Sequence, residues 1–68
     1  MSDRNERLIG ALYRANHAAR RGLVDVLDAG PSPESRLAFR TLFTAALDLR
    51  NAAEEIVEME RERGKDAK

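Results

Sequence analysis

The apolar positions of this chain fall into two helical patterns separated by a break. In the first, Leu8, Leu12, Ala15, Ala19, Gly22, Val26 and Ala29 recur at alternating steps of four and three, the spacing that lays one stripe along an α-helix. In the second, Leu42, Leu49 and Ile56 recur every seven residues, and Ala38, Ala45, Ala52 and Met59 form a companion series at the same period. Such a repeat is a heptad seam, here with small residues at nearly every second position. Neither stretch shows the period-two alternation of a strand.

The break is Ala29-Gly30-Pro31-Ser32-Pro33-Glu34. Gly30 can adopt the left-handed conformation that closes a helix, and Pro31 cannot continue one. Ser32 suits an N-cap, Pro33 the first helical position, and Glu34 the positive end of the helix dipole. Asp3 and Glu6 have the form of a capping box at the front, and the polar run from Gly64 to Lys68 suggests a fraying tail. The sequence therefore predicts one domain over residues 1–68, with helices over 3–29 and 33–63, a turn at 30–32 and a tail at 64–68. A turn this short folds the helices back as antiparallel neighbours. The fold class is all-α, an antiparallel αα-hairpin. Folding at the turn sets residue i level with a residue numbered about 63 − i. Arg4 and Arg7 are then expected to face Glu55, Glu58 and Glu60, and Asp25 and Asp28 to face Arg36 and Arg40.

The seam leaves apolar surface over. Ile9, Tyr13, Val24 and Leu27 form a second stripe on the first helix, while Leu37, Phe39, Phe43, Leu47 and Val57 widen the apolar arc of the second. Two helices hide about one stripe each, and a chain of 68 residues is short of core in any case. With no Cys for disulfides, small domains commonly gain stability by association. The expectation is a homodimer closing a four-helix bundle, with Ile9, Tyr13, Leu27, Phe39, Phe43 and Leu47 as its self-association residues.

Charge and composition narrow the function. Lys and Arg number 12 and Asp and Glu 12, so no overall field favours nucleic acid or an anionic membrane. The absence of Cys and the single His17 exclude thiolate zinc sites and multi-histidine sites within one chain. Glu54, Glu55, Glu58 and Glu62 form an acidic block without the Glu-x-x-His signature of bundle di-metal centres; it reads as a solvated face. No P-loop, nucleophile elbow, H-E-x-x-H or dinucleotide fingerprint occurs, so no enzyme, metal or cofactor is expected. The apolar runs are too short to span a membrane. The polar opening Met1–Glu6 does not resemble a secretory signal, so a cytoplasmic location is expected. Ten of the 12 cations are Arg, a bias that fits a GC-rich bacterial or phage genome.

Arg14, His17, Arg20, Arg21, Arg40 and Arg50 gather in the middle third of the expected rod and are candidate contacts for a partner or nucleic acid. Tyr13 and Asn16 read as interface residues, because Asn at a seam often fixes register, with His17 at the wet edge. In helix lengths and its Ala-containing seam the chain resembles the short helical-hairpin regulators of plasmid copy number. That resemblance implies a dimeric bundle binding RNA loops on one face; no diagnostic motif accompanies it, and no functional residue is carried across. The function expected is a non-enzymatic protein-interaction module, an adaptor, inhibitor or regulator acting through self-association and an exposed helix face. The alternative is an RNA-binding regulator using the central Arg cluster.

Overall fold

Two helices make up the computed structural model, which describes residues 2–66, with no side-chain description at 66. Helix α1 spans Asp3–Ala29 and helix α2 spans Pro33–Asp66. They pack antiparallel as a hairpin measuring 55 × 16 × 11 Å, with a radius of gyration of 15.9 Å. A compact chain of this length would have a radius near 11 Å. The molecule is a rod.

The helix ends show how local chemistry sets these bounds. At the front the N-cap is Ser2, one residue before the expected Asp3: its Oγ accepts the Asn5 N–H at 3.2 Å, and its carbonyl accepts the Glu6 N–H at 3.0 Å. Asp3 is instead the first helical residue and holds Arg7 at 3.3 Å. At the turn the Gly30 N–H donates to the Leu27 carbonyl at 3.2 Å. Gly30 has φ 88° and ψ 171°, which is positive φ but extended rather than left-handed helical, a region essentially restricted to glycine. Ser32 Oγ accepts the Ser35 N–H at 3.0 Å, and Ser35 Oγ donates back to the Gly30 carbonyl at 2.7 Å. The two serines thus tie the first residue of the turn to the first turn of α2.

Helix α2 continues through Gly64 to Asp66, past the expected end at residue 63. Glycine inside a helix costs about 1 kcal/mol. Arg63–Glu60 and Lys65–Glu62 contacts at 3.0 and 3.9 Å support the last turns, and basic residues there suit the negative end of the dipole. Residues 67–68 of the expected tail lie outside the described residues.

The seam is rotated relative to the sequence pattern. On α1 the half-buried positions facing α2 are Asn5, Ile9, Leu12, Asn16, Ala19, Leu23 and Val26, with Gly22 alongside, while Gly10 is covered by Arg14 of its own helix. Leu12, Ala19, Gly22 and Val26 belong to the expected stripe, whereas Leu8, Ala15 and Ala29 are exposed. Ile9, expected on the second stripe, lies in the seam. On α2 Leu42, Leu49 and Ile56 are half-buried as the heptad requires. Their closest-packed companions are Ala46, 7% exposed, and Ala53, fully buried, rather than Ala45 and Ala52, which are half-buried; Met59 is exposed at 57%. Gly22 marks the same close approach from α1, since a Cβ there would lie 3.1 Å from Leu42 Cδ1.

The expected ion pairs across the hairpin do not form. Among the described residues every ion pair lies within one helix, three or four residues apart. With the seam rotated, Arg4, Arg7, Asp25 and Asp28 are exposed, and none of them pairs with a charge on the other helix. Polar contact between the helices comes from Asn5, whose amide donates to Glu60, and Asn16, whose Nδ2 donates to the Ala46 carbonyl at 2.6 Å.

Joint and seam can be tested together by urea denaturation followed by circular dichroism. Gly30→Ala should cost about 1–3 kcal/mol because of its φ. Ala53→Leu should cost a similar amount, about 1–3 kcal/mol, by overpacking. A neutral Ala53→Leu would contradict the close seam.

Candidate interaction face

The seam has two flanks. In an antiparallel helix pair, residues one step past the seam on each helix meet on one side, and those one step before it meet on the other. The first flank carries Tyr13, Arg20 and Leu27 of α1 beside Arg36, Phe43 and Arg50 of α2. The second carries Leu8, Ala15 and Gly22 beside Ala38, Ala45, Ala52 and Met59 and is built mostly of small side chains.

Large apolar side chains concentrate toward the first flank. Phe43 is 54% exposed, Leu27 67%, Tyr13 46% and Leu47 46%. Phe39 and Phe43 stack one turn apart, with ring centroids 6.2 Å apart and planes 11° from parallel, an arrangement favoured beyond the area it buries. Below Phe43 lies a shallow groove of about 230 Å³ between Asn16, Arg20, Leu23, Leu47 and Arg50, floored by Ala46. A second hollow of about 460 Å³ opens at the turn among Leu27, Pro31, Arg36 and Phe39. The first groove exists because the seam beneath it is alanine. A larger side chain at Ala46 would fill the first.

Of the six expected self-association residues, Tyr13, Leu27, Phe39, Phe43 and Leu47 are exposed, while Ile9 is half-buried between the helices. The candidate contact cluster is less unified. Arg20 and Arg50 line one groove, and Arg50 also holds Glu54 at 3.2 Å. Arg40 lies nearer the turn with Pro33, Arg36 and Leu37. Arg14 and Arg21 fall on the side away from α2, and the Arg14 guanidinium folds back over Gly10; His17 is exposed beside the seam. The acidic block is a surface feature in which Glu54 and Glu58 pair with Arg50 and Arg61. Among the described residues no group of three or more His, Cys, Asp or Glu is placed to hold a metal ion, and no helix is long and apolar enough to cross a membrane.

The sequence pattern placed Asn16 at an interface between copies. The structure places it in the seam inside the hairpin, where it reaches a helix carbonyl. The signal for this was the series Ile9, Asn16, Leu23 at seven-residue spacing, facing Ala46 and Ala53 at the same spacing.

Compared with protein-family models, curated proteins and solved structures, the chain has no match. The features that bear on function are the rod, its alanine seam and its apolar flank.

Asn16→Ala should cost about 0.5–1.5 kcal/mol, the net worth of one hydrogen bond. Asn16→Leu should keep the stability but loosen the alignment of the helices, as buried polar residues often fix register. Urea denaturation measures the first effect, and broadened amide resonances report the second. Sharp, wild-type-like spectra for Asn16→Leu would place the register elsewhere.

Proposed function

We propose that this chain is a non-enzymatic helical interaction module that works as a homodimeric four-helix bundle and presents its remaining helix faces to a protein partner, as an adaptor, inhibitor or regulator. One observation carries the reading. The only buried hydrophobic side chains among the described residues are Ala46 and Ala53, while nine large apolar side chains are exposed. Burying a Phe or Leu stabilises by about 1.5–3 kcal/mol, and an alanine supplies far less. A chain that buries two alanines and exposes two stacked phenylalanines has its main hydrophobic gain still to make. Association supplies it. Tyr13, Leu27 and Phe43 share one flank with Leu47 beside them, and clustered apolar surface of this kind marks association sites on proteins.

The second reading, RNA binding, is supported by Arg20 and Arg50 flanking Phe43 in one groove, since cations and an aromatic face together suit phosphate and base. In that case binding should fall steeply with salt and be lost in the Arg20→Ala, Arg50→Ala double variant.

Absolute mass by light scattering at micromolar concentration tests the main reading. A value of about 15 kDa, twice the 7.6 kDa chain, is expected for a dimer. Phe43→Asp should shift the mass toward monomer with helicity reduced in step. A wild-type mass of 7.6 kDa would overturn the reading.

A further inference from the structure

We propose that the face around Leu47 docks a second copy of this chain with the two α2 helices antiparallel, Leu47 against Leu47, so that Arg40 of each copy meets Glu54 of the other. The inference rests on the dimer reading above and adds its geometry.

Area favours a copy of this chain as the occupant. The chain exposes 5478 Å², whereas a compact monomer of 7.6 kDa exposes about 4,300 Å². The excess of about 1,200 Å² exceeds the roughly 800 Å² per partner that a standard interface covers. One equal-sized rod laid along the face removes it without any larger protein.

Charge sets the direction. Arg40, Leu47 and Glu54 follow one another at seven-residue spacing on α2, so they share one stripe of the helix, and all three are exposed. The stripe reads positive, apolar, negative. Against a copy of itself, it is complementary only when run antiparallel about Leu47; run parallel, it would set Arg40 beside Arg40 and Glu54 beside Glu54. The other packing of two hairpins, with both turns at one end, lays α2 on α1 of the second copy. The corresponding α1 stripe is Gly10, His17 and Val24, which offers Arg40 no carboxylate.

The hairpin register puts this axis at the middle of the rod. Asn16 stands level with Ala46, Gly22 with Leu42, and Asn5 with Glu60, so Leu47 is level with the centre of α1. A two-fold axis there overlaps the rods along their full length. It also brings Phe43 level with Arg50 of the second copy, and Tyr13 level with its Arg20, setting two of the exposed rings beside cations. Glu54, already held by Arg50 at 3.2 Å, would join the incoming Arg40 in a three-membered charge chain.

The chain has no cysteine, so a single introduced thiol can pair only with its own copy. Leu47→Cys and, separately, Ser32→Cys are treated with copper-phenanthroline after helicity and mass are checked. Residue 32 lies about 22 Å along the rod from the axis at 1.5 Å per residue, so the two turns of the dimer are about 45 Å apart. The expected result is a dimeric mass, rapid disulfide dimer from Leu47→Cys and none from Ser32→Cys. A dimeric mass with the reverse cross-linking pattern would overturn this geometry and leave the dimer standing; a monomeric mass would overturn both. As an independent readout, Arg40→Glu should weaken the dimer about tenfold or more, and adding Glu54→Arg should recover most of that loss. No recovery would also count against the antiparallel stripe.

Discussion

At Ala53, which no solvent reaches, and at Ala46, which scarcely any does, the two helices come close enough that nothing larger than a methyl group fits between them. Much of the remaining structure follows from that approach. It lets Asn16 on α1 reach a backbone carbonyl on α2 at 2.6 Å, and it leaves Gly22 so close to Leu42 that an added Cβ would press on it. It also determines what the hairpin cannot do. A seam floored with alanine has no room for Phe39, Phe43 or Leu47, so these side chains stand on its flank, and the groove beside Phe43 and Leu47 is the space the small seam leaves open. Close helix packing and an exposed apolar face are two consequences of one choice of side-chain size.

The polar groups divide the remaining work. Ion pairs along the surface run within single helices at three- and four-residue spacing, where each contributes a few tenths of a kcal/mol at most. They support long helices but do not align them. Alignment comes from the turn, where Ser32 binds Ser35 and Ser35 donates to the Gly30 carbonyl, and from Asn5 and Asn16, which cross the seam at two levels. Because the charges are not consumed in holding the hairpin together, their pattern is available to orient what docks on it. On the proposed reading they do so through Arg40 and Glu54.

The turn and the helical class were legible because they rest on local chemistry: a glycine with positive φ, prolines that cannot extend a helix, and a serine that caps one. The phase of the seam was not. Leu8 and Ile9, Ala45 and Ala46, and Ala52 and Ala53 are adjacent apolar pairs. A heptad can be threaded through either member of each, and only packing against the other helix selects Ile9, Ala46 and Ala53. The N-cap was misplaced for a similar reason, since Ser2 and Asp3 are both good caps and the geometry of Asn5 decides between them. The cross-hairpin ion pairs failed with the phase. Once the seam turned, Arg4 and Arg7 no longer faced α2. Of the candidate face, the exposure of Tyr13, Phe39, Phe43 and Leu47 was readable as surplus beyond one stripe. The splitting of the arginine cluster into groove and outer residues was not readable, because it depends on that same rotation.

The central claim is that the hairpin lacks a core of its own and completes one by association. Thermal unfolding followed by circular dichroism, repeated over a hundredfold range of protein concentration, tests it directly. If folding and dimerisation are coupled, the midpoint rises with concentration by mass action. A midpoint that stays constant across that range would show that the alanine seam alone sustains the fold, and would contradict the account.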